Sequence, residues 1–174
     1  MLFGTQDSRP GILHGQPPPA KPNDFFGVCE FALGWKKLPV TATQLYAQGL
    51  EKLAITGQFK SVQYYNGACA ACLAATGKTR DALELDDKER TRLRGQALHW
   101  LRAALAMEKE LSEKANDVQR AARLKRMEHW LVDVDLAALR EPVALGKLPA
   151  ADRDGCLRFW GEVLGFQAQL QRTE

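Results

Sequence analysis

Apolar residues recur three and four positions apart from about residue 23 to the end of the chain, with polar residues between them. This spacing places the apolar side chains on one face of a helix. The short stretches SVQYY and VDVDL alternate, but each lies at the edge of a stronger helical pattern. The pattern predicts an all-α fold. The predicted helices cover about 24–35 with Asn23 or Asp24 as the cap, Thr41 or Thr43 as the cap to Gly57, about 62–76, Asp86 or Asp87 to Lys114, Asn116 or Asp117 as the cap to about 131, and Pro149 onwards.

The segment Tyr64 to Leu105 carries the strongest pattern. It reads YYNGACAACLAATGKTRDALELDDKERTRLRGQALHWLRAAL. Its small side chains leave room for a second helix to pack closely, and Gly77 suits a left-handed helix end. Together the two halves resemble one helix–turn–helix unit of a tetratricopeptide (TPR) array. We therefore expect antiparallel helix pairs, stacked as a degenerate TPR-like repeat array over residues 24–172.

Residues 1–23 differ in composition from the rest of the chain. Prolines and glycines interrupt a polar segment that can bury little apolar surface. The segment is predicted to be a disordered or extended leader. Its triple proline could serve as a ligand for a proline-binding domain, although a plain tether is favoured.

Composition and charge restrict the classes of function. The chain has 174 residues, 45% hydrophobic and 26% charged, with a formal net charge of +3. These fractions are typical of a soluble globular protein, and no apolar run approaches the roughly 20 residues that span a bilayer. The N-terminus does not follow the pattern of a secretory signal, so a cytoplasmic location is expected. A local basic cluster, Arg120, Arg123, Lys125 and Arg126, leaves nucleic-acid binding as an alternative, but a solvated helix face is favoured.

Four cysteines raise the question of a metal or redox site. Cys69 and Cys72 form a C-x-x-C pair, while Cys29 and Cys156 are isolated. A zinc site needs four ligands, commonly two such pairs or one pair with suitably spaced histidines. The pair lies in an alanine-rich helix, where small thiols pack well. Reduced core cysteines are favoured, and no metal or cofactor is expected.

Known catalytic motifs are absent from the sequence. It has no Walker motif, no glycine-rich phosphate loop, no G-x-S-x-G elbow and no H-E-x-x-H pair. Asp133 and Asp135 lie in a predicted turn, where aspartate commonly bonds its own backbone. We therefore expect no catalytic residue and no enzyme activity.

Helical repeats of this kind usually bind other proteins on a concave face. Asn66 is the strongest candidate for a contact with a peptide backbone, because the first helix of each pair lines that face. Gln63, Lys36 and Arg94 are weaker candidates. A helix cap or interhelical hydrogen bond is an equally good explanation of Asn66. The expected partner is a protein or peptide, with no membrane and no small-molecule substrate.

Three blocks in order carry a resemblance to a known family: YYNGACAACLAATG, LDDKERTRLRGQALHWLRAAL and HWLVDVDLAALREPVALGKLPAADRDGCLRFW. From about Phe25 to Phe166 the chain resembles the C-terminal, TPR-like part of large serine/threonine protein kinases from planctomycete bacteria. The resemblance implies a helical region without the kinase domain, which in that family lies N-terminal to the repeats. It implies a non-catalytic interaction module. The alternative is a truncated remnant of such a kinase without an independent function.

Overall fold

The computed structural model describes residue 19 and residues 21–172, and all of its regular elements are helical. Within residues 21–172 there is no β-strand, which confirms the predicted all-α class. No helix in this part is long and apolar enough to cross a bilayer. The predicted leader lies almost wholly outside the described residues. The helices are α1 Pro22–Glu30 with a π-helical turn Phe31–Trp35, α2 Pro39–Lys52, α3 Gly57–Ala75, α4 Asp87–Ser112, α5 Asp117–Val132, a 3-10 segment Val134–Leu139, α6 Pro142–Leu145 and α7 Ala150–Gln171.

Polar caps begin α4 and α5 where the sequence predicts them. The Asp86 carboxylate accepts a hydrogen bond from the Glu89 amide at 2.7 Å. Asn116 and Gln119 form a reciprocal capping box, in which each side chain accepts from the other residue's backbone N–H. Such caps satisfy amides that have no partner inside the helix.

Proline, and not the predicted polar caps, begins α1 and α2. Pro22 and Pro39 each occupy the first helical position, so the caps expected at Asn23 or Asp24 and at Thr41 or Thr43 are wrong. Proline suits this position because its fixed φ is helical and the missing N–H needs no partner. Gly57, with φ of +57°, starts α3 and does not end α2.

Helix α3 lies at the centre of the fold and packs against α2, α4 and the 3-10 segment. From Gly67 to Cys72 every residue is buried. A helix buried on all sides needs small residues wherever a neighbour approaches closely. A Cβ added at Gly67 would lie 3.1 Å from the Trp100 ring of α4. The predicted role of the small residues in close helix packing is therefore confirmed.

The end of α1 closes with a residue in the left-handed region. Lys37 has φ of 55°, and the Leu38 amide donates to the Ala32 carbonyl at 3.0 Å. This bond spans six residues, one more than the corresponding bond of a Schellman-type helix end, because the turn before it is π-helical; glycine is usual at such a left-handed position. A lysine there costs about 1 kcal/mol relative to glycine.

The C-terminal half packs back onto the central helices, since α7 contacts both α4 and α5. The indole of Trp160 donates to the Leu139 carbonyl at 2.7 Å. Arg140 donates to the carbonyls of Trp130 and Asp133, at 3.1 and 2.8 Å, and so binds the C-terminal end of α5. Positive charge is favoured there by the helix dipole.

The predicted basic cluster is divided between the interior and the surface. Glu108 is fully buried on α4 and forms ion pairs with Arg126 at 3.0 Å and Arg123 at 3.7 Å. Arg123 itself is 6% exposed. Two of the four cations therefore face a buried carboxylate and do not contribute to a basic surface.

Candidate functional site: a polar cleft beside the central helix

A cleft of about 470 Å³ opens beside the centre of α3. Its walls come from the end of α1, from α2 and α3, and from the end of α5 and the turn that follows. Clefts of roughly 300–1,000 Å³ with a few converging polar groups are typical ligand sites. We call this feature the α3 cleft, and its lining residues are Glu30, Leu33, Gly34, Lys37, Pro39, Tyr46, Tyr65, Asn66, Cys69, Leu73, Thr79, His129, Asp133 and Asp135.

Asp133 holds one wall of the α3 cleft in place. Its Oδ1 accepts from the Asp135 amide at 2.9 Å, the local turn bond expected from the sequence. Its Oδ2 lies 2.5 Å from the Tyr65 hydroxyl and 3.2 Å from His129 Nε2. The Cys69 thiol lies 4.0 Å from the same oxygen. One carboxylate thus joins α3, α5 and the 3-10 segment.

Tyr46 places a polar atom at the floor of the cleft. The residue is 0% exposed, and its hydroxyl has no hydrogen bond of good geometry to a described residue, although the Asn66 side chain lies close enough to interact with it. Burial raises the pKa of this phenol, and the charges of Cys29, Glu30 and Cys69 raise it further, whereas hydrogen bonding with the Asn66 side chain lowers it. Of these neighbours, Glu30, Asn66 and Cys69 line the cleft together with Tyr46, whereas Cys29 does not. A buried hydroxyl without a partner costs about 1–3 kcal/mol.

Asp135 brings a second carboxylate to the cleft. It is half-buried, and its carboxyl oxygens make no hydrogen bond or ion pair within residues 21–172. Burial raises its pKa, the neighbouring Asp133 charge raises it further, and Lys37 and His129 oppose these effects. The two aspartates with Glu30 make three carboxylates against one lysine and one histidine. The lining of the α3 cleft therefore has more acidic than basic side chains.

The thiols do not equip the cleft for nucleophilic chemistry. All four cysteines are free and buried. Burial raises the pKa of Cys69 well above its ordinary value, and the Asp133 and Asp135 charges add to this effect. Burial likewise raises the pKa of Cys29 and Cys72 to about 12. Because the thiolate is the reactive form, these thiols are unreactive near neutral pH. In the described part of the chain, no group of three or more His, Cys, Asp or Glu side chains could hold a metal ion.

Of the four residues expected to contact a partner, Asn66 is the one that lines the α3 cleft. It also lines an adjoining cavity of about 220 Å³ between α3, α4 and α5. Gln63 is 2% exposed and so does not reach a surface that a peptide could contact. Lys36 is exposed, with its ammonium 5.6 Å from the Phe31 ring. Arg94 lies away from the cleft and faces Asp152 at 3.8 Å.

The sequence pattern did not reveal the remaining cleft residues. Tyr46 and Tyr65 occupy ordinary apolar positions of their helices, and His129 precedes a core tryptophan. Asp133 and Asp135 follow the pattern of a turn. Their separation along the chain from Tyr65 is about seventy residues, so no local spacing links them. The sequence feature that could have indicated a polar site here is the pair of aspartates, Asp133 and Asp135, directly after a helix end.

No protein-family model, curated protein or solved structure matches this chain.

Proposed function

We propose that the chain is a non-catalytic helical module that binds a peptide segment of another protein in the α3 cleft. The observation that carries this proposal is the cleft itself, whose lining includes Asn66 and Tyr46, the latter with a buried hydroxyl that has no hydrogen bond of good geometry. An amide and a hydroxyl can bond both the N–H and the C=O of a peptide backbone. The apolar Leu33 and Leu73 offer contacts for a side chain.

The stacked TPR-like arrangement is part of the same proposal. In the first half of the fold consecutive helices pack on one another, α1 on α2, α2 on α3 and α3 on α4. This succession supports a short stack of helix pairs. The resemblance to the C-terminal part of planctomycete serine/threonine kinases also supports an interaction role. A remnant without an independent function is the competing interpretation, and a binding experiment separates the two.

A peptide selection with a blocked cleft tests the proposal. The full chain is panned against a phage-displayed library of random dodecapeptides, and enriched peptides are measured by fluorescence anisotropy. Gly34 lines the cleft, and a Cβ there meets no heavy atom within 4 Å. Gly34→Leu is therefore expected to occupy the cleft without disturbing the fold. Gly161 on α7 is equally open and lies away from the cleft, so Gly161→Leu is the matched control.

We expect wild-type protein and Gly161→Leu to bind the selected peptides equally. Gly34→Leu should weaken binding by about tenfold or more, equivalent to roughly 1.4 kcal/mol. Selection of no peptide by the wild-type chain would favour the remnant interpretation. Equal binding by both variants would place any peptide site outside the α3 cleft.

A further inference from the structure

The α3 cleft contains an excess of negative charge that the protein itself does not neutralise. The carboxylates of Glu30, Asp133 and Asp135 line it together with Lys37 and His129. Asp133 already accepts from the Tyr65 hydroxyl, and its Oδ2 lies 3.2 Å from His129 Nε2. Asp135 is half-buried and has no hydrogen-bonding or ion-pairing partner among the described residues, although its backbone N–H is bonded. A partly desolvated carboxylate in this state gains most from a bound cation.

The second, independent feature is the Tyr46 hydroxyl. Tyr46 lines the cleft from α2 and is wholly buried, and its hydroxyl has no hydrogen bond of good geometry in the described structure. Its oxygen can accept an N–H bond, as can the carbonyl oxygen of the Asn66 side chain. A carboxylate, a hydroxyl and an amide oxygen around one space match the donors of an ammonium or guanidinium group.

We propose that the α3 cleft recognises a lysine or arginine side chain of the bound peptide, with Asp135 as its main counter-charge. This inference rests on the proposed peptide-binding function. The cationic end lies among Asp135, Tyr46 and Asn66, and its aliphatic stem packs on Leu33 or Leu73. Lys37, at the mouth of the cleft, opposes the incoming charge. Lys37 has a left-handed backbone, and its charge lies close enough to Asp135 to lower the pKa of that carboxyl.

Fluorescein-labelled nonapeptide pools test the charge preference directly. The central residue is fixed as Lys, Arg, Gln or Glu, and the flanking positions are randomised without charged residues. Binding to the full chain is followed by anisotropy. We expect the Lys or Arg pool to bind about tenfold more tightly than the Gln pool, the scale of one charge-assisted hydrogen bond. The Glu pool should bind most weakly.

Three variants assign the preference to the cleft. Asp135→Asn should reduce binding of the cationic pool to the level of the Gln pool. Asp154→Asn removes the same charge from an exposed position on α7 and should leave binding unchanged. Lys37→Asn removes the opposing charge while tolerating the left-handed backbone, and should tighten cationic binding severalfold. Circular dichroism melts confirm that each variant is folded.

The outcomes separate this inference from the proposed function. If the Gln pool binds as tightly as the Lys pool, and Gly34→Leu abolishes both, the cleft binds peptides but the cation preference is refuted. The cation preference is also refuted if the Glu pool binds most tightly, since Lys37 would then be the residue that binds the charged side chain of the peptide. If no pool binds, or if Gly34→Leu changes nothing, the proposed peptide site itself is refuted. If Asp154→Asn weakens binding of the cationic pool as much as Asp135→Asn does, the preference comes from general electrostatic attraction. That result would overturn the assignment to Asp135.

Discussion

Removal of the Glu108 carboxylate is expected to destabilise the fold strongly. The side chain is 0% exposed, and its Oε1 accepts from Gln58 Nε2 at 2.6 Å and from Ser61 Oγ at 2.7 Å. Its Oε2 accepts from Arg126 at 3.0 and 3.3 Å and lies 3.7 Å from Arg123 Nε. This one carboxylate therefore joins α3, α4 and α5.

The magnitude follows from what the substitution leaves behind. Glu108→Ala removes the acceptor of two neutral donors and the counter-ion of two arginines. The Arg123 side chain is 8% exposed and would keep a buried charge without a carboxylate. Breaking a buried ion pair from one side costs about 3–5 kcal/mol. Glu108→Gln keeps one acceptor oxygen but turns an amide N–H₂ towards a donor, so a smaller loss of about 1–3 kcal/mol is expected.

The measurement is equilibrium urea unfolding, followed by the circular dichroism signal of the helices. Glu110→Ala is the control, since Glu110 is exposed on the same helix and its loss should change stability by less than about 0.5 kcal/mol. A loss below about 1 kcal/mol in Glu108→Ala would refute the reasoning, because the buried arginine would then have found water or another partner. A double-mutant cycle with Arg126→Ala measures the coupling of the pair itself.

Two further predictions concern stability. Gly49→Ala should lower the free energy of unfolding by about 1–2 kcal/mol in the same urea assay, because its Cβ would lie 2.7 Å from the Phe25 ring and 2.8 Å from that of Phe26. Gly95 lies on an open helix face, so Gly95→Ala should raise the free energy of unfolding by about 0.5–1 kcal/mol. Asp135→Asn should stabilise the chain at pH 7 by less than about 1 kcal/mol after allowance for solvent screening. The raised pKa of Asp135 means that the folded state holds the proton of this carboxyl more firmly than the unfolded state. Stability therefore falls as the pH rises from the ordinary aspartate pKa through the raised pKa of the folded state. Urea unfolding of both proteins at pH 7 and at a pH below the ordinary aspartate pKa tests this, and the difference should vanish at the lower pH; an equal difference at both would refute it.

Much of the helical framework could be predicted from the sequence because its causes are local. The Asp86 cap, the Asn116 capping box and the left-handed end at Gly77 each depend on a few neighbouring residues. The errors at Pro22 and Pro39 have a local cause as well. Proline ends a helix that precedes it but begins one that follows, and the periodic pattern alone does not distinguish the two.

Periodicity, capping and side-chain size were enough to predict the all-α class, most helix ends and the small residues of α3. Only the tertiary structure brought Tyr65 to Asp133 and buried Glu108 against Arg123 and Arg126. It also placed Asp135 and Tyr46, whose hydroxyl has no hydrogen bond of good geometry, in the lining of the same cleft. The reason is physical: a helical pattern shows which face is buried but not which neighbour buries it, and the cleft depends on contacts between helices far apart along the chain.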